Sequence, residues 1–180
     1  MGRIVPAAVT ASPGNFLTGA LWNSQVKALN DFLTSPPIFT GYASTAQSIP
    51  GANTGTPLNL DTTTIDTENG HSNTTNNSRY TATVPGTYLV FGAVGWSNNT
   101  SGDRRLYIAR NGSSVAGSGT SFDPSQAVLH GLQTSGICTL NGTTDYVEVF
   151  AAHSSTTNPL STNSGPGVFC AAMSVLWISR

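Results

Sequence analysis

The chain has 180 residues, close to the size of one ordinary domain, so one compact core with an appendage fits and a second full domain does not. Only 8% of residues are charged and the formal net charge is -1, which removes the electrostatic footprint of a nucleic-acid binder or of a protein that binds anionic membranes. Hydrophobic residues make up 38%, and no apolar run approaches the roughly 20 residues of a spanning helix, so no membrane insertion is expected.

The opening MGRIVPAAVTASPG has one Arg and a short apolar patch interrupted by Pro6, too weak for a cleaved secretory signal. From Arg3 to Gly14 it predicts an extended, proline-bearing arm. In FLTGALWNSQVKALNDFLTSPP, the residues Trp22, Val26, Leu29 and Leu33 recur at helical spacing and Phe32 joins them. Asn23, Gln25, Lys27, Asn30 and Asp31 take the other side, which predicts one short amphipathic helix. Thr18 can cap its start, and Ser35-Pro36-Pro37 stops it because proline lacks an amide donor and restrains the preceding residue. A lone helix of this length is marginal in water, so its stripe must rest on its own β domain, on sister copies or on a different protein. The arm favours docking on a larger assembly, with 1–37 as the attachment segment and 38–180 as the head.

From Ile38 onward the signals are strands and turns. Abundant Thr, Val and Tyr favour extended structure, and Gly and Pro punctuate it, so the head reads as all-β. A strand is expected from Ile38 to Ala46; Tyr80, Ala82 and Val84 then alternate with Arg79, Thr81 and Thr83, before Val84-Pro85-Gly86-Thr87 turns the chain. Asn111-Gly112 and Asn141-Gly142 predict tight hairpins, and Asn69-Gly70 a third turn, because Asn and Gly tolerate positive φ. The closing GVFCAAMSVLWIS predicts a last strand that is apolar on both registers, and long polar loops such as TTTIDTENGHSNTTNNS belong at the rim.

The stretch TATVPGTYLVFGAVGWS, from Thr81 to Ser97, contains a strand that raises the central problem. Tyr88, Val90, Val94 and Trp96 fall on one register, while Leu89, Phe91 and Ala93 fall on the other, so neither face is suited to water. Phe169, Val175 and Trp177 add apolar bulk on the closing strand.

The order of these segments resembles the C1q and tumour-necrosis-factor-like jelly roll, over about Ile38 to Ser179. The resemblance rests on RYTATVPGTYLVFGAV, LYIARNG, TDYVEVFAA and the closing FCAAMSVLWIS, with Tyr80, Pro85, Gly86, Tyr88, Phe91, Asn111-Gly112, Asp145, Val147 and Val149 as its main matches. Thr144 stands where the family has Gly before the Asp, and Ala171 or Ala172 where its terminal strand has Gly. The resemblance implies an antiparallel jelly-roll β-sandwich that assembles as a homotrimer about a threefold axis. Strands at that axis are covered by the sandwich on one side and by neighbouring subunits on the other. Within a single subunit, loops or the helix would have to cover the second face instead.

The lead segment, through Leu17, Thr18, Trp22, Asn23, Val26 and Pro36-Pro37, is similar to the amino-terminal lead of small structural proteins of tailed bacteriophages. The combined resemblance implies a non-enzymatic virion structural protein, a capsid decoration, head fibre or tail appendage. It would be assembled in the host cytoplasm, displayed on the virion surface, and attached through 1–37 to the major capsid protein or a tail protein. The alternative is a soluble trimeric recognition module, lectin-like or ligand-like. A host cell-surface glycan is a candidate ligand of the polar loops.

No catalytic constellation emerges, and no cofactor is expected. His71, His130 and His153 lack metal or hydrolase spacing, and there is no G-x-S-x-G elbow. A glycosidase needs paired carboxylates, and the eight acidic residues are mostly isolated in loops. Asp103 and Asp145 are the nearest candidates for a calcium ligand, yet turn-forming roles fit them better. Asn73, Asn76, Asn98, Asn99, Asn111 and Asn141 open N-x-S/T sequons that composition alone produces, and they read as unglycosylated. In a roll of the resembled type Cys138 would fall on the sixth major strand and Cys170 on the last, with another strand between them and about 9.5 Å apart, so the resemblance implies free thiols.

Overall fold

The computed structural model of the chain describes residues 4–7, 14, 16, 18–126 and 128–180. Leu17 and most of the arm between Arg3 and Gly14 lie outside them. From Ile38 onward the regular elements among the described residues are strands joined by turns and loops: β1 (Ile38–Tyr42), β2 (Ser48–Ile49), β3 (Thr56–Pro57), β4 (Thr62–Asp66), β5 (Arg79–Thr81), β6 (Gly86–Trp96), β7 (Arg104–Arg110), β8 (Ser113–Ser114), β9 (Thr120–Phe122), β10 (His130–Leu140), β11 (Tyr146–His153), β12 (Leu160–Ser161) and β13 (Ala172–Ser179).

Two antiparallel sheets form the sandwich. The first has the order β10-β6-β13-β1-β4; in the second, β3, β11, β7 and β8 run side by side, with β5 on β11 and β9 on β7. The chain crosses repeatedly from one sheet to the other, so sequence neighbours such as β10 and β11 belong to different sheets. This is the jelly-roll arrangement, which confirms the fold class read from the sequence.

Alternation along the strands supplies the core. On β6 the side chains of Tyr88, Val90, Val94 and Trp96 turn inward, joined from β13 by Met173 and Val175. From the second sheet come Leu106, Ile108, Val147 and Val149, and Phe39, Tyr80 and Leu140 close the ends. Tyr88 ties its own turn together: its hydroxyl donates to the Val84 carbonyl at 2.6 Å, and burial pushes its phenol well above the ordinary range.

Four expectations change. The first strand ends at Tyr42 rather than Ala46. The closing strand starts only at Ala172, because 167–171 is irregular and Val168 is fully out in solvent; Phe169 and Cys170 therefore precede the strand rather than belong to it. Asn111-Gly112 forms the expected hairpin between β7 and β8, both residues at positive φ (51° and 78°). Asn141-Gly142, by contrast, is no hairpin: β10 pairs with β6 while β11 pairs with β7, so this turn carries the chain across the sandwich.

The fourth change concerns the helix. Residues 19–34 are helical, and Thr18 caps them as expected by accepting from the Leu21 N–H at 3.1 Å. Inside, Trp22–Lys27 widens to a π-helix, marked by the Ala28 N–H bonding to the Asn23 carbonyl five residues back. The wider turns break the 3.6-residue phase on which the predicted stripe depended. Phe32 alone of that stripe is buried, while Trp22, Val26, Leu29 and Leu33 are exposed.

Both cysteines are free thiols, with β6 between Cys138 on β10 and the segment carrying Cys170. Cys138 lies opposite Tyr88 at one end of β6, and Cys170 lies near the other end.

Candidate functional site

The second register of β6 defines the site. Because Tyr88 and Val90 face inward, Leu89, Phe91 and Ala93 face away from the sandwich, and the pairing register lines them up with outward residues of neighbouring strands. Ile137, Leu89, Leu176 and Ile38 form one transverse row across β10, β6, β13 and β1. Ser135, Phe91, Ser174, Thr40 and Ile65 form the next, reaching β4. Gln133, Ala93, Ala172 and Tyr42 form a third.

The first row is aliphatic throughout. Ile137 is 61% exposed, Ile65 46% and Phe91 44%. Phe91 stands above a small hollow floored by Ala93 and Ala172. No charged residue occupies these rows. An aliphatic row with Phe91 and Ile65 beside it, edged by the uncharged Ser135, Ser174, Thr40 and Gln133, is the composition of a face suited to being covered.

At the far end of the same face, Gly95 and Gly131 leave room for the 163–171 segment. A Cβ at Gly131 would fall 2.7 Å from the Phe169 ring, so Phe169 lies over the sheet and is 46% exposed. At the other end of β13, on the inward register with Met173 and Val175, Trp177 donates from Nε1 to the Pro85 carbonyl at 3.2 Å and receives Phe32 against its ring.

The structure separates the residues singled out in the sequence into three groups. Tyr88, Val90, Val94, Trp96 and Val175 are core; Phe91 and Phe169 lie on the outward face; Trp177 is partly buried, packed between the core and Phe32 of the helix. Leu89, Leu176, Ile38 and Ile137 complete the face, and sequence reasoning did not single them out as site residues. Their signal was present only as the second apolar register, which becomes a surface once the cross-strand register is known.

The polar candidates are each bonded within the chain. Asp145 accepts from Arg110 Nη2 at 2.7 Å, Asn111 Nδ2 at 2.7 Å and the Asn141 N–H at 2.9 Å, tying both Asn-Gly turns together. The Asn111 bond foremost, and then Arg110, hold its carboxyl below the usual range. Asp103 accepts from the Ser154 hydroxyl and from Arg105 Nε, and is lowered in the same way, chiefly by Ser154. His71 places its ring nitrogens 2.7 Å from the Arg79 carbonyl and 3.0 Å from that of Leu60. His153 is buried, its Nε2 2.9 Å from the Ile49 carbonyl and its Nδ1 accepting from the Ser155 N–H. His130 Nε2 lies 2.9 Å from the Gln126 carbonyl. Among the described residues, no three His, Cys, Asp or Glu side chains converge on a common point.

Comparison with solved structures agrees with this architecture. The globular domain of zebrafish complement 1qA superposes with a TM-score of 0.53 at 16% identity, covering 80% of this chain and 98% of that one. Murine APRIL, in its crystal structure at pH 5.0, superposes with a TM-score of 0.55 at 11% identity, covering 79% and 98%. No family model matches the sequence, and no curated protein aligns with it. The fold is thus that of the C1q/TNF-like jelly roll.

Proposed function

We propose that the chain is a non-enzymatic, homotrimeric C1q/TNF-like module displayed on the particle of a tailed bacteriophage. Residues 1–37 attach it to the major capsid protein or a tail protein, and the roll projects to consolidate the particle or to adhere to the host surface. The observation that carries the reading is the outward face of the first sheet, with Ile137, Leu89, Leu176 and Ile38 in one row and Phe91 beside them. Fully burying an exposed side chain of this size contributes about 1.5–3 kcal/mol; Ile137, Phe91 and Ile65 would gain most of the available part on assembly, and the half-buried Leu89, Leu176 and Ile38 less, which together favours association. The likeness to C1q/TNF-type domains favours a closed ring of three over a twofold pair.

The attachment role is supported by the helix. Trp22, Val26, Leu29 and Leu33 are displayed, not spent on the roll. The Ser-, Thr-, Asn- and Gly-rich loops suit a surface exposed outside a cell.

Two measurements test the reading. Light scattering on the full chain at micromolar concentration should give three times the chain mass, and a stable monomer would overturn the trimer. Immunogold electron microscopy of phage particles should then place label on the capsid or tail. A trimer that is absent from particles would favour the soluble recognition module.

A further inference from the structure

On the second sheet, β7 loses its neighbour in mid-strand. β9 pairs with Arg104 to Leu106 and β8 with Ala109 and Arg110, while 115–119 leaves the ladder between them, with Gly117 at positive φ (77°). Ser118 fills the break. The Ile108 N–H donates to its Oγ at 3.1 Å, its hydroxyl donates to the Val115 carbonyl at 2.8 Å, and the Val115 N–H donates to the Ile108 carbonyl at 2.8 Å. The backbone is satisfied, yet an open groove of about 750 Å³ remains beside β7.

The groove carries a fixed set of groups. Tyr107 is held by stacking on Phe150, with ring centroids 5.4 Å apart and planes 19° from parallel. Its hydroxyl sits where a side chain at position 55 would go, since a Cβ on Gly55 would come within 2.0 Å of it. Asp103 and Arg105 lie along the groove as an ion pair braced by Ser154, and Ser114, Thr120 and Ser121 add hydroxyls.

We propose that this groove is a binding site for a neutral saccharide. One sugar ring lies against Tyr107, while its hydroxyls donate to the Asp103 carboxylate and accept from the Arg105 guanidinium and the Ser and Thr hydroxyls. Bonds to charged partners are the strong ones, and here both signs are held in place before the ligand arrives. A peptide is a poorer fit: strand addition needs free backbone groups, and Ser118 has taken those at the break. An anion is poorer too, because Asp103 neutralises Arg105. The groove is on the second sheet and shares no lining residue with the apolar face of the first, so its test is independent of that reading.

The test is saturation-transfer NMR and calorimetric titration of the full chain with neutral trisaccharides of glucose, galactose, mannose and N-acetylglucosamine, beside sialyllactose and a heparin disaccharide. At least one neutral probe should bind, and Tyr107→Ala and Asp103→Asn should each weaken it about tenfold or more. Ser72→Ala, on a loop outside the groove, should leave affinity unchanged. Circular dichroism checks each variant's fold, and Thr120→Ala, a milder change, should weaken binding in the same direction. Absence of binding by every neutral probe at about 10 mM, binding only by the charged probes, or undiminished binding by folded Tyr107→Ala would overturn the proposal.

Discussion

Phe32 meets Trp177 edge to face, with ring centroids 4.8 Å apart and planes at 82°, and this contact clasps the helix to the end of β13. The other apolar residues of the stripe are exposed, so the helix is joined to the roll at one end and open to a partner along its length.

Phe32→Ala should therefore loosen the helix without unfolding the sandwich. We expect loss of helical circular dichroism, a changed Trp177 environment in fluorescence and faster proteolysis within 19–37. Global unfolding of the roll should move by only about 1 kcal/mol. A large drop in that stability would show that the helix belongs to the core.

Ile137→Asp places a charge in the aliphatic row on a side chain that is 61% exposed in one subunit. A single subunit loses little by it, but an assembled one would have to bury an unpaired carboxylate. The variant should elute as a folded monomer with native circular dichroism. A variant that keeps the assembled mass would move the interface elsewhere.

The two Asn-Gly turns should answer differently to the same substitution. Gly142 has φ of 74°, and a Cβ there would approach the Pro85 nitrogen to 2.4 Å, whereas at Gly112, φ 78°, it would meet nothing within 4 Å. Gly112→Ala should cost about 1 kcal/mol from backbone strain. Gly142→Ala should cost about 3 kcal/mol or more, because rigid backbone must also move. Urea denaturation of both variants checks the order.

Asp145 links stability to acid. Its carboxyl is held below the usual range by Asn111, Arg110 and the Asn141 N–H, so the folded state binds its proton less readily than the unfolded chain. That contribution is fully present above the unfolded pKa, near 4, and is lost as pH falls through the lower folded value. Asp145→Asn should consequently destabilise the protein at neutral pH, and the gap from the parent should narrow towards about pH 3. Thermal melts across this range provide the measurement, and a constant gap would assign Asp145 no such role.

By itself, the sequence determined what depends on local backbone chemistry. Alternating apolar residues set the strands, Asn111 and Gly112 set a hairpin through their positive φ, and Thr18 set the helix start. The order of these segments carried the resemblance to the jelly roll.

The tertiary structure decided whatever depends on a distant partner. Both registers of β6 are apolar, and only its pairing between β10 and β13 turns Tyr88 inward and aligns Leu89 with Ile137 and Leu176 on the open side. Asn141-Gly142 carries the same turn chemistry as Asn111-Gly112, yet it crosses the sandwich because β10 and β11 find their partners in different sheets. The groove beside Tyr107 arises where 115–119 leaves β7. A side-chain period fixes that a strand has two faces; long-range pairing fixes which of them meets the core.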